Sequence, residues 1–279
     1  MTVDAHHHVW DLSVRDQDWL HGPGLRPLRR NFGLADLEPE ARAAGVDRTV
    51  LVQTVTMPEE TPELLVLADR RELIAGVVGW TDLTRPDIAD ELARLRALPG
   101  GSYLKGVRHQ VQNEPDPGWL LRPDVRRGLA AVADAGLVHD LVVLPHQLPA
   151  CARAAAAVPR LTFVLDHLGK PPIASGGHER WAADLRALAA LPNTVAKLSG
   201  LVTEAGPATR TPAALRPYTD TALDAFGPGR LMYGSDWPVC TLVMSYGEVH
   251  GLTRELTADL GEAERTALFE GTARRVYGL

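Results

Sequence analysis

Along the whole chain, short runs of aliphatic and β-branched residues alternate with Ala/Leu/Arg-rich segments whose apolar positions recur at helical spacing. The short runs predict strands at Val3–His8, Thr49–Val55, Leu73–Trp80, Tyr103–Arg108, Val138–Leu144, Leu161–Asp166, Thr194–Ser199 and Leu231–Ser235. Most are apolar almost throughout rather than alternating. That is how parallel strands read when both faces of the sheet are covered.

Between them the period predicts helices at Leu34–Ala44, Pro62–Arg71, Pro86–Ala97, Pro123–Ala135, Leu148–Ala157, Glu179–Leu191 and Tyr218–Phe226, with Glu262–Arg274 closing the chain. Proline, Ser, Thr or Asp stands near several helix starts, and Gly45, Gly136 and Gly227 follow three helix ends. Trp10 to Phe32 reads as a long connection after the first strand. The Gly/Pro-rich stretches Pro171–Gly177 and Gly206–Pro212 read as loops on the functional face. Eight strands with eight helices in 279 residues predict a single α/β domain over residues 1–279, a (β/α)8 TIM barrel. A doubly wound open sheet is the competing architecture, but it usually carries a glycine-rich turn after its first strand. Histidines occupy that position here.

Composition narrows the function without naming it. Hydrophobic residues make up 45% and charged residues 23%, a soluble globular balance. The net charge is −6 and the arginines are scattered, which argues against nucleic acid as a partner. No apolar run approaches a membrane span, and the first strand begins too near Met1 for a signal peptide, so the expectation is a cytoplasmic protein without a membrane partner. Cys151 and Cys240 are isolated and read as ordinary buried thiols rather than a disulfide or a cysteine zinc site.

The chemistry begins at Asp4-Ala5-His6-His7-His8. On a strand, His6 and His8 share one face and His7 takes the other, so two imidazoles converge as a divalent ion or an attacking water requires. A histidine run near Met1 also fits an expression tag, but this one is three residues long and lies inside a strand.

In a barrel, polar residues at the carboxyl ends of strands gather on one face. Those ends offer Gln53, Trp80, Arg108 and His109, Asp140, Asp166 and His167, Lys197 and Ser199, and Asp236. Asp236, in Tyr233-Gly234-Ser235-Asp236-Trp237-Pro238, reads as a general base or metal ligand facing His6 and His8; a local Asx turn is the alternative. His167 reads as a carbonyl-polarising group, with a backbone-satisfied core histidine as the alternative. Asp166 has the opposite parity and is expected to orient a neighbour. Arg108 suits a carboxylate or an oxyanion, unless it forms a surface salt bridge. Asp140 lies within an apolar strand and needs a partner such as Arg108, a histidine or a substrate hydroxyl. Lys197 stands in a similar position, and His139 points outward. No nucleophile elbow, P-loop or dinucleotide turn occurs.

Taken together, Asp4-Ala5-His6-His7-His8-Val9-Trp10, Gly79-Trp80-Thr81-Asp82-Leu83, Lys105-Gly106-Val107-Arg108-His109-Gln110, Asp166-His167-Leu168-Gly169-Lys170-Pro171, Lys197-Leu198-Ser199-Gly200 and Gly234-Ser235-Asp236-Trp237-Pro238-Val239-Cys240 resemble the amidohydrolase-related family, in its sugar-lactonase branch, similar to L-fuconolactonases and L-rhamnonolactonases. The resemblance spans nearly the whole chain. It implies a (β/α)8 barrel and hydrolysis of a small-molecule lactone. The binuclear members carry a carboxylated lysine at the end of strand four, where this chain has Arg108 and His109, so a two-metal site is not expected. What remains is one zinc-like divalent ion, with His6, His8, His167 and Asp236 as ligands, or metal-independent hydrolysis.

The resulting expectation gives His6, His8, His167 and Asp236 catalytic roles. Asp236 deprotonates a water near His6 and His8, and His167 stabilises the oxyanion. Arg108, His109, Gln53, Trp80 and Asp140 hold the substrate. The rivals are a metal-dependent decarboxylase of the same superfamily, an amide or cyclic-imide hydrolase, and a catalytically silent scaffold. Which lactone is used, and whether subunits associate, are not legible in the sequence.

Overall fold

In the computed structural model, which describes residues 1–279, β1 (Val3–His7), β2 (Arg48–Val52), β3 (Ile74–Gly79), β4 (Leu104–His109), β5 (Val138–Leu141), β6 (Phe163–Leu165), β7 (Thr194–Leu198) and β8 (Leu231–Tyr233) pair in sequence order. Every strand pair in the sheet is parallel. The last strand returns to the first through an isolated parallel bridge, His7 to Trp237. The His8 amide donates to the Trp237 carbonyl at 2.7 Å and the Asp236 amide to the His6 carbonyl at 2.9 Å. The eight expected strands are all present, and they wrap into the expected (β/α)8 barrel.

Its helices are α1 (Leu34–Ala43), α2 (Glu60–Asp69), α3 (Ile88–Ala97), α4 (Pro123–Asp134), α5 (Leu148–Ala157), α6 (His178–Ala189), α7 (Leu201–Glu204), α8 (Pro212–Phe226), α9 (Tyr246–Leu256), α10 (Glu262–Thr266) and α11 (Thr272–Tyr277). Gly45, Gly136 and Gly227 adopt positive φ past three helix ends, as the stop signals require.

Short α7 lies outside the sequence expectation, the expected closing helix divides into α10 and α11 around a π turn, and two longer helices differ as well. Residues 246–256 were not expected to be helical, because Gly247, Gly251 and β-branched residues dilute the pattern. A capping box organises the segment, with Ser245 Oγ accepting from the Glu248 amide and the Glu248 carboxylate accepting from the Ser245 amide. Helix α8 starts at Pro212 rather than Tyr218. Thr211 caps it by accepting from the Ala214 amide, and Pro217 is tolerated inside the helix rather than marking its start.

The interior of the barrel has two layers of different character. Toward the amino ends of the strands, Val3, Ala5, Val50, Val52, Val78, Val138, Val164, Val195 and Met232 form a dry plug, closed from below by Ala273 and Tyr277 of α11. A larger apolar cluster, including Leu51, Val77, Val107, Leu141 and Phe163, fills the space between strands and helices. At the carboxyl ends the interior turns polar.

The change is made on β1 by a slip in register. Asp4 pairs with Thr49 but His7 pairs with Leu51, so β1 carries one extra residue there. Val3 and Ala5 thereby face the dry plug while His6 and His8, one and three positions beyond Ala5, still reach the polar end.

Candidate active site

The His6 and His8 rings meet edge to face, with Nε2 atoms 3.1 Å apart. His7 turns to the other side of the strand, where its Nε2 lies 2.9 Å from Thr49 Oγ1. Behind the pair, Asp4 ties β1 to β8: its Oδ1 accepts from the Ser235 amide at 2.8 Å and its Oδ2 from Ser235 Oγ at 2.6 Å. This link holds the turn that carries Asp236, whose φ of 57° is left-handed. Gly234 is required at this approach, since a Cβ there would lie 2.9 Å from that of His6.

Asp236 Oδ1 stands 3.8 Å from His6 Nε2, 3.8 Å from His8 Nε2 and 3.7 Å from His167 Nε2. These spacings are too long for hydrogen bonds and leave room for one small species among the four groups. Burial pushes the Asp236 carboxyl up to about 7, against the opposing pull of the Lys170 and Arg108 cations. Burial also lowers the three imidazoles, His167 to about 3 and His6 and His8 well below the ordinary range, so all are neutral.

His167 arrives from β6 by an unusual turn. His167, Leu168, Gly169 and Lys170 have φ values of 53°, 51°, 69° and 55°, four successive left-handed residues. For non-glycine residues that conformation is costly and occurs mostly singly. Strand parity ends at Leu165, so Asp166 and His167 both face the interior, which corrects the expected alternation. Gly200 permits the arrangement, because a Cβ there would sit 2.8 Å from His167 Cγ. His167 Nδ1 lies 2.9 Å from Ser199 Oγ.

Beneath the histidines runs a buried ionic chain. Arg108 donates to Asp166 Oδ2 at 2.8 Å and to the Gln53 carbonyl and Oε1 at 2.6 and 3.0 Å. The Lys197 ammonium lies 2.6 Å from Asp140 Oδ2, 2.9 Å from Asp166 Oδ1 and 3.1 Å from His6 Nδ1. Burial raises the Asp166 carboxyl, but Lys197, His6 and Arg108 outweigh it and hold the group well below the carboxylate range. Burial wins at Asp140, which is pushed up to about 6 despite Lys197. The Tyr277 hydroxyl donates to Asp140 Oδ2 at 2.8 Å.

The proton positions follow from the partners. His8 Nδ1 lies 2.7 Å from the Val52 carbonyl and must donate to it, leaving a lone pair on Nε2. His6 Nε2 faces that lone pair and is assigned the proton between them, with Nδ1 accepting from Lys197; Arg108 Nη1 at 3.4 Å from Nε2 and Asp166 Oδ1 at 3.3 Å from Nδ1 are further neighbours.

A divalent ion fits this donor set. One nitrogen from each of His6 and His167 and one carboxylate oxygen of Asp236 all lie within 4.8 Å of one another. Neutral imidazoles with a carboxylate suit zinc, and two nitrogens each about 2.0–2.1 Å from one ion stand close to the 3.1 Å separating His6 and His8 Nε2. An ion would replace the proton on His6 Nε2.

The cluster opens into a cavity of about 390 Å³ bordered by His8, Arg108, His167, Lys170, Glu204 and Asp236, with Trp19, Leu25 and Leu242 on an apolar side. A second cavity, of about 420 Å³, lies between the Trp10–Phe32 connection and helices α1 and α2, away from these groups.

Four residues expected to touch substrate, Gln53, Trp80, His109 and Asp140, do not border the site cavity. Gln53 holds Arg108, and Asp140 is buried against Lys197 and Tyr277. The Trp80 indole donates to His109 Nδ1 at 3.0 Å, while His109 stacks on Trp119 and pairs through Nε2 with Glu114. Each already has a protein partner for its side chain, and only Asp140 Oδ1 is left without one. Sequence reasoning passed over Trp19 and Glu204 and gave Lys170 no role; only the placement of loops brings them to the cavity. His139 points out of the barrel as expected, packing edge to face on Phe163.

The amidohydrolase family model matches residues 3–279. The chain is 41% identical over 290 residues to an L-fucono-1,5-lactonase of Burkholderia multivorans, covering 100% of this chain and 96% of that one. It is 40% identical to an L-fucono-1,5-lactonase of Burkholderia ambifaria, covering 99% and 94% of the two chains. A crystal structure of an amidohydrolase from Burkholderia multivorans with bound zinc superposes with a TM-score of 0.94 at 41% identity, over 100% of this chain and 99% of that one. With matches along its entire length and a barrel of the same shape, the chain belongs to the amidohydrolase family and is an enzyme built on that family's fold.

Proposed function

We propose that this enzyme opens a sugar-derived lactone to its hydroxy acid, with a six-membered aldonolactone of the L-fucono-1,5-lactone kind as substrate. The observation that carries this reading is Asp236 Oδ1 standing 3.7–3.8 Å from three neutral imidazoles at the floor of a cavity large enough for one sugar ring. A carboxyl raised to about 7 is matched to proton transfer near neutrality.

Water seated among Asp236, His6 and His8 loses a proton to Asp236 as its oxygen bonds to the lactone carbonyl carbon. With Ser199 Oγ, 2.9 Å away, taken as the donor to His167 Nδ1, His167 Nε2–H donates to the developing oxyanion. When the adduct collapses, the ring carbon–oxygen bond breaks and Asp236 returns its proton to the alkoxide. The acid formed then releases a proton to solvent. Arg108 borders the cavity with its remaining donor capacity, oriented by Gln53 and Asp166.

His6, His167 and Asp236, with His8 adjacent, would hold a zinc-like ion, which supplies polarisation of the carbonyl and acidification of water. An ester carbonyl is more electrophilic than an amide, so the base and donors above also suffice in principle without it.

Proton release from a panel of aldonolactones, including L-fucono-1,5-lactone, tests the reading, together with the metal content of the purified enzyme. The expected result is lactone-dependent acidification that Asp236→Asn abolishes. A wild-type enzyme that opens no lactone, with or without added zinc, would overturn it.

A further inference from the structure

We infer that Lys170 and Glu204 form a clamp that reads ring hydroxyls of the substrate and so selects polyhydroxylated lactones over plain ones; this rests on the hydrolytic reading above.

Both residues border the cavity beside His167 and Asp236. Lys170 comes from the turn after β6 and Glu204 from the end of α7, after β7, and the Ala174 amide joins the two segments by donating to the Glu204 carbonyl at 3.1 Å. The two side chains are half-buried, and neither enters a hydrogen bond or an ion pair with the protein. Arg108, by contrast, is held by Asp166 and Gln53 with only part of its donor capacity left over, and Lys197 by Asp140 and Asp166.

The left-handed turn supplies the second argument. Its closing bond runs from the Lys170 amide to the His167 carbonyl at 2.9 Å, so the turn has about three residues per repeat and sets residues 167 and 170 on one side. Aiming His167 alone would need one unusual residue. The turn extends the unusual backbone through Lys170 as well, and strain of that kind persists at sites where it positions a group.

An ammonium donates to hydroxyl oxygens and a carboxylate accepts hydroxyl protons, so the pair offers both halves of what a vicinal diol requires. Trp19, Leu25 and Leu242 also line the cavity and suit a deoxygenated carbon of the substrate. A lactone lacking hydroxyls would leave both charges desolvated and unpaired beside it, which is how a polar site rejects such an analogue.

The test compares a hydroxylated six-membered aldonolactone with δ-valerolactone in wild type, Lys170→Met, Glu204→Gln and the double variant. The ratio of the two kcat/KM values is expected to fall on the order of 10- to 100-fold in each single variant, the loss of one charge-assisted hydrogen bond. KM should carry most of that change, with the double variant falling short of the product of the singles. A second arm measures Kd for a 1,5-anhydroalditol, a ring polyol without the carbonyl, and expects a similar weakening.

An unchanged ratio in both single variants, or unaltered anhydroalditol affinity, would overturn the clamp. Equal loss on both lactones would also overturn it by placing Lys170 at the reacting carbonyl. A wild type that opens neither lactone would overturn the hydrolytic reading alone, and the clamp would then stand or fall on the anhydroalditol arm. Thermal unfolding accompanies each variant, with Lys170→Gln replacing Lys170→Met if the latter does not fold.

Discussion

The two ends of the barrel interior are made from the same eight strands and have opposite physics. The amino-end layer is valine, alanine and methionine, fully buried and closed by α11. The carboxyl-end layer holds three neutral imidazoles, a carboxyl raised to about 7 and positive φ values at His167, Leu168, Lys170 and Asp236. Between them the Arg108, Asp166, Lys197 and Asp140 chain is matched in formal charge, two cations to two carboxylates. The lower end contributes stability, and the upper end holds buried polar groups at spacings that only a ligand, a water or an ion would satisfy.

The sharpest way to break this contrast is Asp236→Asn. It should lower kcat on a lactone by roughly 10²–10⁴-fold, the usual contribution of a general base, while circular dichroism stays unchanged. The same change should stabilise the fold. With a folded value of about 7 above an ordinary 3.8, the stability this carboxyl leaves intact at low pH is lost as pH rises through 7. At pH 8 the cost of its charge is about 4 kcal/mol, so the variant should unfold at a higher temperature than wild type, by a margin that narrows toward pH 5.

Next in size is Lys197→Met. It strands the Asp140 and Asp166 carboxylates in the interior and is expected to cost about 3–5 kcal/mol in denaturant unfolding, as removal of one partner of a buried pair does. Retention of wild-type stability would mean that the ionic chain is not needed to separate the two layers.

A smaller effect is the pH profile. Because Asp236 must be ionised to accept a proton, kcat/KM should fall about tenfold per unit as pH drops below about 7 and level off above it. A profile flat from pH 5 to 8 would remove Asp236 as the base.

The least effect is expected at the lower end itself. Tyr277→Phe deletes the donor to Asp140 Oδ2 and should cost about 1–3 kcal/mol of stability with kcat on the lactone within about twofold of wild type. A large loss of kcat would show that the layers are coupled through Asp140 and Lys197.

The barrel itself was legible because eight apolar runs alternate with amphipathic segments, and strand burial follows directly from that pattern. The pairing of His6 and His8 with Asp236 was legible too, since each ends a strand and barrel geometry gathers strand ends. Helix α9 carried a readable signal in Ser245 and Glu248 that its glycines obscured.

Other features were decided only in three dimensions. Strand parity assigned Asp166 and His167 to opposite faces, but the left-handed turn after Leu165 abolishes parity there. Strand position alone made Gln53, Trp80, His109 and Asp140 candidates for substrate contact, whereas side-chain reach and the partners nearby decide which of them meet the cavity. Periodicity, a local property of the chain, determined the elements and their order. The roles of Lys170, Glu204 and Lys197 depend on contacts between residues far apart in sequence, and those arise only when the ring of strands closes.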